Sequence, residues 1–334
     1  MNSCSHPHVL VTGASSGIGR ATALRLAVSG YHVFAGVRRP ADGRALCQGA
    51  GREITPVLLD VTHAGQIGDA ADVVAGHVGG AGLDGLVNNA GVGVFGPLEI
   101  IPLEQFRTLM EVNVTGQLAV TQAFLPLLRQ ARGRIIMIGS IGTRFTPPFV
   151  GALAASKSAL ASMDEALRQE LAPWGIRVVL VEPATVRSQA VGKLERDAAR
   201  LMSQASPAQR DLYEEAFGHL VDTFAARHRH GSPPEVIATT VSRALTTPRP
   251  RARYLTGKDS RRMAILAAAL PAPALAVRAG HGDRAVHQVS ADGVAGDQAG
   301  PAQRGRQRHR DVPRIDDSRA DLGEKRQVGH VIGG

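Results

Sequence analysis

The chain is poor in residues that staple or stack. Of 334 residues, two are cysteines, one is tryptophan and three are tyrosines, and aromatics make up 4%. Cys4 and Cys47 fit neither a disulfide framework nor a metal-ligand spacing, which argues against a cysteine-stapled secreted scaffold and for a reducing, cytoplasmic compartment. No apolar run is long enough to span a bilayer. The nearest, residues 263–277, is broken by Pro271 and Pro273, so it reads either as a packed terminal helix or as a peripheral membrane contact. The first residues show no basic region followed by an apolar run and a small-residue cleavage site, so no secretory signal is expected. Positive charge is in excess but not concentrated. The 38 Lys and Arg against 29 Asp and Glu give a net +9, yet the arginines are scattered and few rings interleave with them. Phosphate tracking and base stacking both lack their groups, and nucleic acid is not an expected partner.

What is present is an alternation. Short, nearly continuous apolar runs at residues 9–12, 32–37, 54–59, 83–87, 134–138 and 176–181 are separated by amphipathic stretches at 66–78, 103–128 and 153–171. Strands without a solvent face, alternating with helices, imply a parallel sheet covered on both sides. The expected fold is α/β, a doubly wound parallel sheet with Rossmann-like order. Residues 190–229 are helical in character, charged and without strand signals, and Pro233-Pro234 opens a further helix. Such an excursion after the sixth strand falls over the carboxyl ends of the strands and is a candidate substrate lid. A last strand at 252–255 and a helix at 261–270 close the pattern. One Rossmann-type domain is therefore expected over 1–278, with its lid at 190–230. Residues 279–334, rich in Gly, Arg, His, Asp and Gln, cannot bury enough surface to offset chain entropy and are expected to be disordered. Their composition is also that of a frameshifted GC-rich reading frame, which resequencing would test.

Thr12-Gly13-Ala14-Ser15-Ser16-Gly17-Ile18-Gly19 stands between the first strand and the first helix. Gly13 permits the tight turn, Gly17 lets backbone approach a pyrophosphate, and Gly19 lets helix and strand pack closely, while the helix N-terminus offers unpaired amides. The bland alternative is a turn and nothing more. At the end of the second strand stand Arg38 and Arg39, with no acidic residue to hold a free ribose 2′-hydroxyl. Arginine pairs with the 2′-phosphate of NADP(H), so NADP(H) is favoured over NAD(H), and Arg38 over Arg39; otherwise both are solvated. Asp60 would border the adenine or cap a turn. Asn88-Asn89-Ala90-Gly91 would hold the turn facing the cofactor, or simply form one. Asn113, inside an amphipathic stretch, is a buried amide that needs partners: it kinks the helix and holds a water, or caps a break.

Together these features resemble the short-chain dehydrogenase/reductase family, specifically its hydroxysteroid- and retinol-dehydrogenase-like members, over about residues 8–258. The resemblance rests on TGASSGIG at 12–19, NNAG at 88–91, NVTG at 113–116, Ser140 at the end of the fifth strand, and Ser156-Lys157 on the next helix. It implies that Ser140 binds and polarises the substrate oxygen, that Lys157 holds the nicotinamide ribose, and that Asn113 anchors a proton-relay water. It places Ser15, Ser16, Ile18, Ala90, Pro183, Val186 and Ser188 around the cofactor. It also implies a small hydrophobic alcohol or carbonyl substrate, and pairing as a homodimer or homotetramer through the helices at 103–128 and 153–171.

The departure lies four residues before Lys157. The family's general acid there is a tyrosine, whereas this chain has Leu153, and its tyrosines stand at 31, 213 and 254. One helical turn puts 153 and 157 on the same face, so a phenol there would be tuned by the lysine; leucine has no proton to give. Three readings follow: an oxidoreductase impaired or altered at one position, a cofactor-binding sensor or partner subunit without turnover, and a purely structural protein. The intact glycine turn, Arg38, Asn113, Ser140 and Lys157 argue against the third.

Overall fold

The computed structural model describes residues 6–48, 53–187 and 190–269. Ser188 and the segment 279–334 lie outside the described residues. Seven strands, β1 (His8–Val11), β2 (His32–Val37), β3 (Ile54–Leu58), β4 (Gly85–Asn88), β5 (Arg134–Ile138), β6 (Arg177–Pro183) and β7 (Arg253–Thr256), form one sheet in the order β3-β2-β1-β4-β5-β6-β7. Each pairing is parallel. The order reverses between β1 and β4, which opens a crevice at their carboxyl ends.

Alternation along the strands feeds two cores. Leu10, Phe34, Leu86, Ile135, Met137, Val178 and Leu180 face α3 (Ala64–Val78), α5 (Gly116–Ala131) and α6 (Gly151–Glu170). Their neighbours Val9, Val11, Val33, Val87, Ile136 and Val179 face α1 (Gly17–Val28) and α9 (Pro234–Thr246). Successive side chains of a strand point to opposite faces, so strands apolar at every position must be covered twice. Two short helices, α2 (Pro40–Cys47) and α4 (Leu103–Met110), and the terminal α10 (Ser260–Ala269) complete this part.

The amphipathic stretch at 103–128 is not one helix. A π turn, Glu111–Thr115, separates α4 from α5, with the Gly116 amide donating to the Glu111 carbonyl. The expected lid is likewise two helices, α7 (Ala190–Gln204) and α8 (Pro207–Arg229). Ser206 accepts from the Gln209 amide while the Gln209 side chain returns to the Ser206 amide, a reciprocal cap that starts α8 afresh. Leu194, Ala198, Leu201 and Met202 recur at helical spacing along α7 and join Phe217 and Val221 of α8 in a third core over Leu109 and Ala152. The Tyr213 hydroxyl also donates to Glu99 at 2.6 Å. Among the described residues no helix is long and apolar enough to cross a membrane.

Candidate active site

The crevice between β1 and β4 continues under α8 as a single cavity of about 720 Å³. Its floor is the glycine turn. Gly17 has φ +52 and open space where a Cβ would project, whereas a Cβ on Gly19 would run into the Gly13 carbonyl and the Asn89 amide. One glycine leaves room above the turn and the other lets α1 press against it. Ser16, at the N-cap of α1, makes no side-chain cap bond, and the first turn carries no acidic residue. The amides of Gly17, Ile18 and Gly19 thus border the cavity without a capping side chain, and the helix dipole adds partial positive charge.

The β4 turn is stitched to that floor. The Thr12 hydroxyl accepts from the Asn89 and Ala90 amides, both at 2.9 Å, and Asn89 Nδ2 donates to the Thr12 carbonyl at 2.9 Å. Asn88 turns inward and donates to Thr121 at 2.8 Å. At the β2 end, Arg39 is occupied by Asp42 at 2.9 Å, while Arg38 lines the cavity. Asp60 also lines it and caps its own turn, accepting from the Thr62 amide at 3.0 Å and hydroxyl at 2.8 Å. Burial works against its charge, but these bonds and the nearby Arg38 prevail and hold the carboxyl below the usual range.

On the far wall, Ser140 Oγ accepts from the Gly142 amide at 3.0 Å. Its turn is fastened by Glu182, a fully buried carboxylate that takes the Thr143 hydroxyl and the Arg144 guanidinium, each at 2.8 Å. Lys157 Nζ donates to the Ile138 carbonyl at 2.8 Å, and burial draws its pKa down to about 8. Asn113, on the π turn, accepts from the Val92 amide at 2.8 Å and donates to the Val92 carbonyl at 2.9 Å and to Ser156 at 3.0 Å. Both of its N–H groups are engaged, so a water there would use the second lone pair of Oδ1. A Cβ on Gly91 would lie 3.2 Å from that oxygen and 3.7 Å from Lys157 Nζ, which brings the three residues to one point.

Among the described residues, all the sequence-predicted ones line this cavity except Asn113, one step behind it; Ser188 lies outside the described residues. Leu153 is there too, packed with Val92, Phe95, Leu220 and Phe224 against the third core. Residues not foreseen include Phe95, Phe224, Arg227, His228 and Met263. Phe95 comes from the loop after β4 and the others from α8 and α10, brought in by tertiary packing that no local pattern announces. Gln117, which donates to the Ala90 carbonyl, was announced only by being polar on an apolar face.

A switch-point crevice floored by a glycine-lined anion cradle, with a serine and a buried lysine on the opposite wall, defines a nucleotide-dependent oxidoreductase scaffold. Residues 7–199 match the short chain dehydrogenase family model, and the chain belongs to the short-chain dehydrogenase/reductase family. It is 36% identical over 277 residues to retinol dehydrogenase 5 of Mus musculus, covering 80% of this chain and 86% of the relative. It is 32% identical to the NADPH-dependent 3-dehydrocapnine reductase of Ornithobacterium rhinotracheale, over 74% of this chain and 87% of that protein. The crystal structure of a short chain dehydrogenase from Burkholderia cenocepacia J2315 in complex with NADP superposes with TM-score 0.63 and 27% identity, covering 83% of this chain and 98% of that one.

Proposed function

We propose that this protein is an NADP(H)-dependent oxidoreductase that interconverts a hydrophobic alcohol with its ketone or aldehyde. The observation that carries the reading is one continuous cavity, polar and cationic at the glycine turn and Arg38, with Phe95, Leu153, Leu220 and Phe224 giving it an apolar stretch under α8. The uncapped α1 N-terminus and the open space over Gly17 suit a diphosphate, and Arg38, with Arg39 held by Asp42, is the cation available for a 2′-phosphate. An NADPH-dependent relative and an NADP-bound neighbour support that choice. Bound there, the cofactor would supply hydride chemistry.

The chain's residues supply the rest. Gly13, Ser15, Ser16, Gly17, Ile18 and Gly19 cradle the diphosphate, and Asp60 borders the adenine. Asn89, Ala90, Gly91, Pro183, Val186 and Ser188 surround the nicotinamide side. Lys157 has N–H groups beyond the one given to Ile138 and directs them to the ribose. Ser140 donates to the substrate oxygen and polarises it, and Asn113 holds water beside Lys157. The protein works as a cytoplasmic homodimer or homotetramer.

Leu153 favours a second reading. It stands where the family has its phenol, and losing a positioned acid or base costs about 100 to 10,000-fold in rate. A protein that binds NADP(H) as a sensor or partner subunit, without turnover, is consistent with that leucine. The test compares wild type, Leu153→Tyr and Arg38→Glu for NADPH and NADH affinity and for NADPH consumption on hydrophobic ketones. The oxidoreductase reading expects NADPH binding, slow turnover, a gain of about tenfold or more from the tyrosine, and a selective loss of NADPH affinity from Arg38→Glu. Tight binding without turnover in both wild type and the Leu153→Tyr variant establishes the sensor instead. No NADPH binding rejects both.

A further inference from the structure

With leucine at 153, the proton of an alcohol–carbonyl interconversion has to pass through another group. The ionisable side chains lining the cavity, among the described residues, are Arg38, Asp60, Lys157, Arg227 and His228. Arginine keeps its proton at any working pH. Asp60 stands at the β3 end of the crevice, where one of its oxygens holds Thr62, and Lys157 gives one N–H to Ile138 and faces the ribose side.

His228 sits in the last turn of α8. Its Nδ1 is 2.8 Å from the Phe224 carbonyl. A carbonyl oxygen only accepts, so Nδ1 carries the hydrogen and Nε2 of the neutral ring keeps its lone pair, with no partner among the described residues. The ring lies tilted against Phe224 with centroids 4.1 Å apart, and Phe224 meets Phe95 at 5.1 Å. Both phenylalanines belong to the apolar group that contains Leu153. Three residues further on, Gly231 abuts the segment after β6: a Cβ there would lie 2.9 Å from the Thr185 oxygen and the Arg187 nitrogen. Val186 pairs with Ser232 beside it. The imidazole therefore borders the same cavity as Leu153, Lys157 and Ser140, three residues before the chain meets the loop that follows Pro183.

We propose that His228 exchanges the substrate's proton in this site, in place of a phenol at position 153. The inference rests on the oxidoreductase reading above and names its missing acid–base group. In alcohol oxidation the carbinol C–H bond breaks and its electron pair leaves as hydride to the oxidised nicotinamide dinucleotide, the oxidant. The O–H bond breaks at the same centre, its proton passes to Nε2, and the carbonyl forms. In reduction the imidazolium returns that proton to the oxygen. Burial lowers the His228 pKa from 6.5, partly opposed by the Phe224 carbonyl, so the ring is a ready base at neutral pH. The charged groups sharing its surroundings are Arg227 on its own helix, Arg187 on the loop behind Gly231, and Arg38, Asp60 and Lys157 on the other walls.

The experiment measures oxidation of a primary aliphatic, a secondary aliphatic and an alicyclic alcohol with NADP⁺ against pH, beside an NMR titration of the His228 ring proton in the free protein. His228→Asn keeps an amide donor for Phe224 and removes Nε2; His228→Gln does the reverse. The expected rate rises through an inflection below 6.5, matched by the ring titration, and stays level through about pH 8. His228→Asn lowers kcat by about 100-fold or more with KM and NADPH affinity little changed. In the Leu153→Tyr variant the same substitution costs less than about tenfold, because the phenol takes over. An inflection near about 8 with His228→Asn silent assigns the proton to Lys157 and overturns the proposal. Full activity in His228→Asn reduces His228 to a structural part. NADPH binding without turnover also overturns it while sparing the cofactor site, and absence of NADPH binding removes the reading beneath it.

Discussion

Asp164→Asn is expected to stabilise the protein at neutral and alkaline pH. Asp164 lies on α6 with no exposed surface, and among the described residues neither carboxylate oxygen has a hydrogen-bond partner. Desolvation raises its pKa from 3.8 to about 6, even against the pull of Arg168 and Arg253. A displacement of that size corresponds to about 3 kcal/mol against the fold when the group is ionised in both states. The sign follows from the order of the two values. Above about 6 the full penalty is present, between about 6 and 3.8 the folded protein takes up the proton first and the penalty fades, and below that range it is gone. Asparagine carries no charge and escapes the penalty. Thermal melts of wild type and variant should therefore separate by about 6 to 12 °C at pH 8, using about 2–4 °C per kcal/mol for a domain of this size. The gap should close near pH 4. A gap independent of pH, or a wild type that melts higher at pH 8, would refute the reasoning and place an unseen partner on the carboxylate.

Lys157→Met should likewise stabilise, by up to about 3 kcal/mol at pH 7, because the ammonium is penalised wherever it is charged in both states, below about 8. Melting curves should show the advantage shrinking as pH rises from about 8 to 10.5, while NADPH titration shows weaker binding. At the amino ends of β1 and β2, His8, His32 and His77 cluster, with the last two stacked at 4.4 Å. Burial first, then mutual repulsion, lowers the pKa of His32; burial, against Asp84, lowers that of His8. The fold is therefore expected to lose stability as pH falls below 6.5, and His77→Phe should shrink the drop in melting temperature between pH 7.5 and pH 5. An unchanged drop would clear the cluster of any part in acid lability.

The sheet was legible because its inner strands are nearly continuous apolar runs, a pattern that only double coverage satisfies. The glycine turn was legible because three glycines at fixed offsets leave little else for a strand–helix junction to be. The π turn was not, because a five-residue widening leaves the apolar period on either side intact; the buried amide of Asn113 was its one trace. The break between α7 and α8 was written as Ser206-Pro207-Ala208-Gln209, a capping signature inside a stretch read for composition alone. α2 went unread, since Pro40–Cys47 buries only Gly43 and Leu46 and has no apolar stripe to detect. His228 and Phe224 reach the cavity through the docking of α8 on the third core, a long-range outcome that neighbouring residues do not encode.

Glu182 grips Thr143 and Arg144 with its two oxygens and directly precedes Pro183. The turn that carries Ser140 and the segment that leads to Val186 are thereby fastened to each other as well as to the sheet. One buried carboxylate thus fixes the spacing of the two walls, and removing it would leave the Ser140 turn held by its own backbone alone.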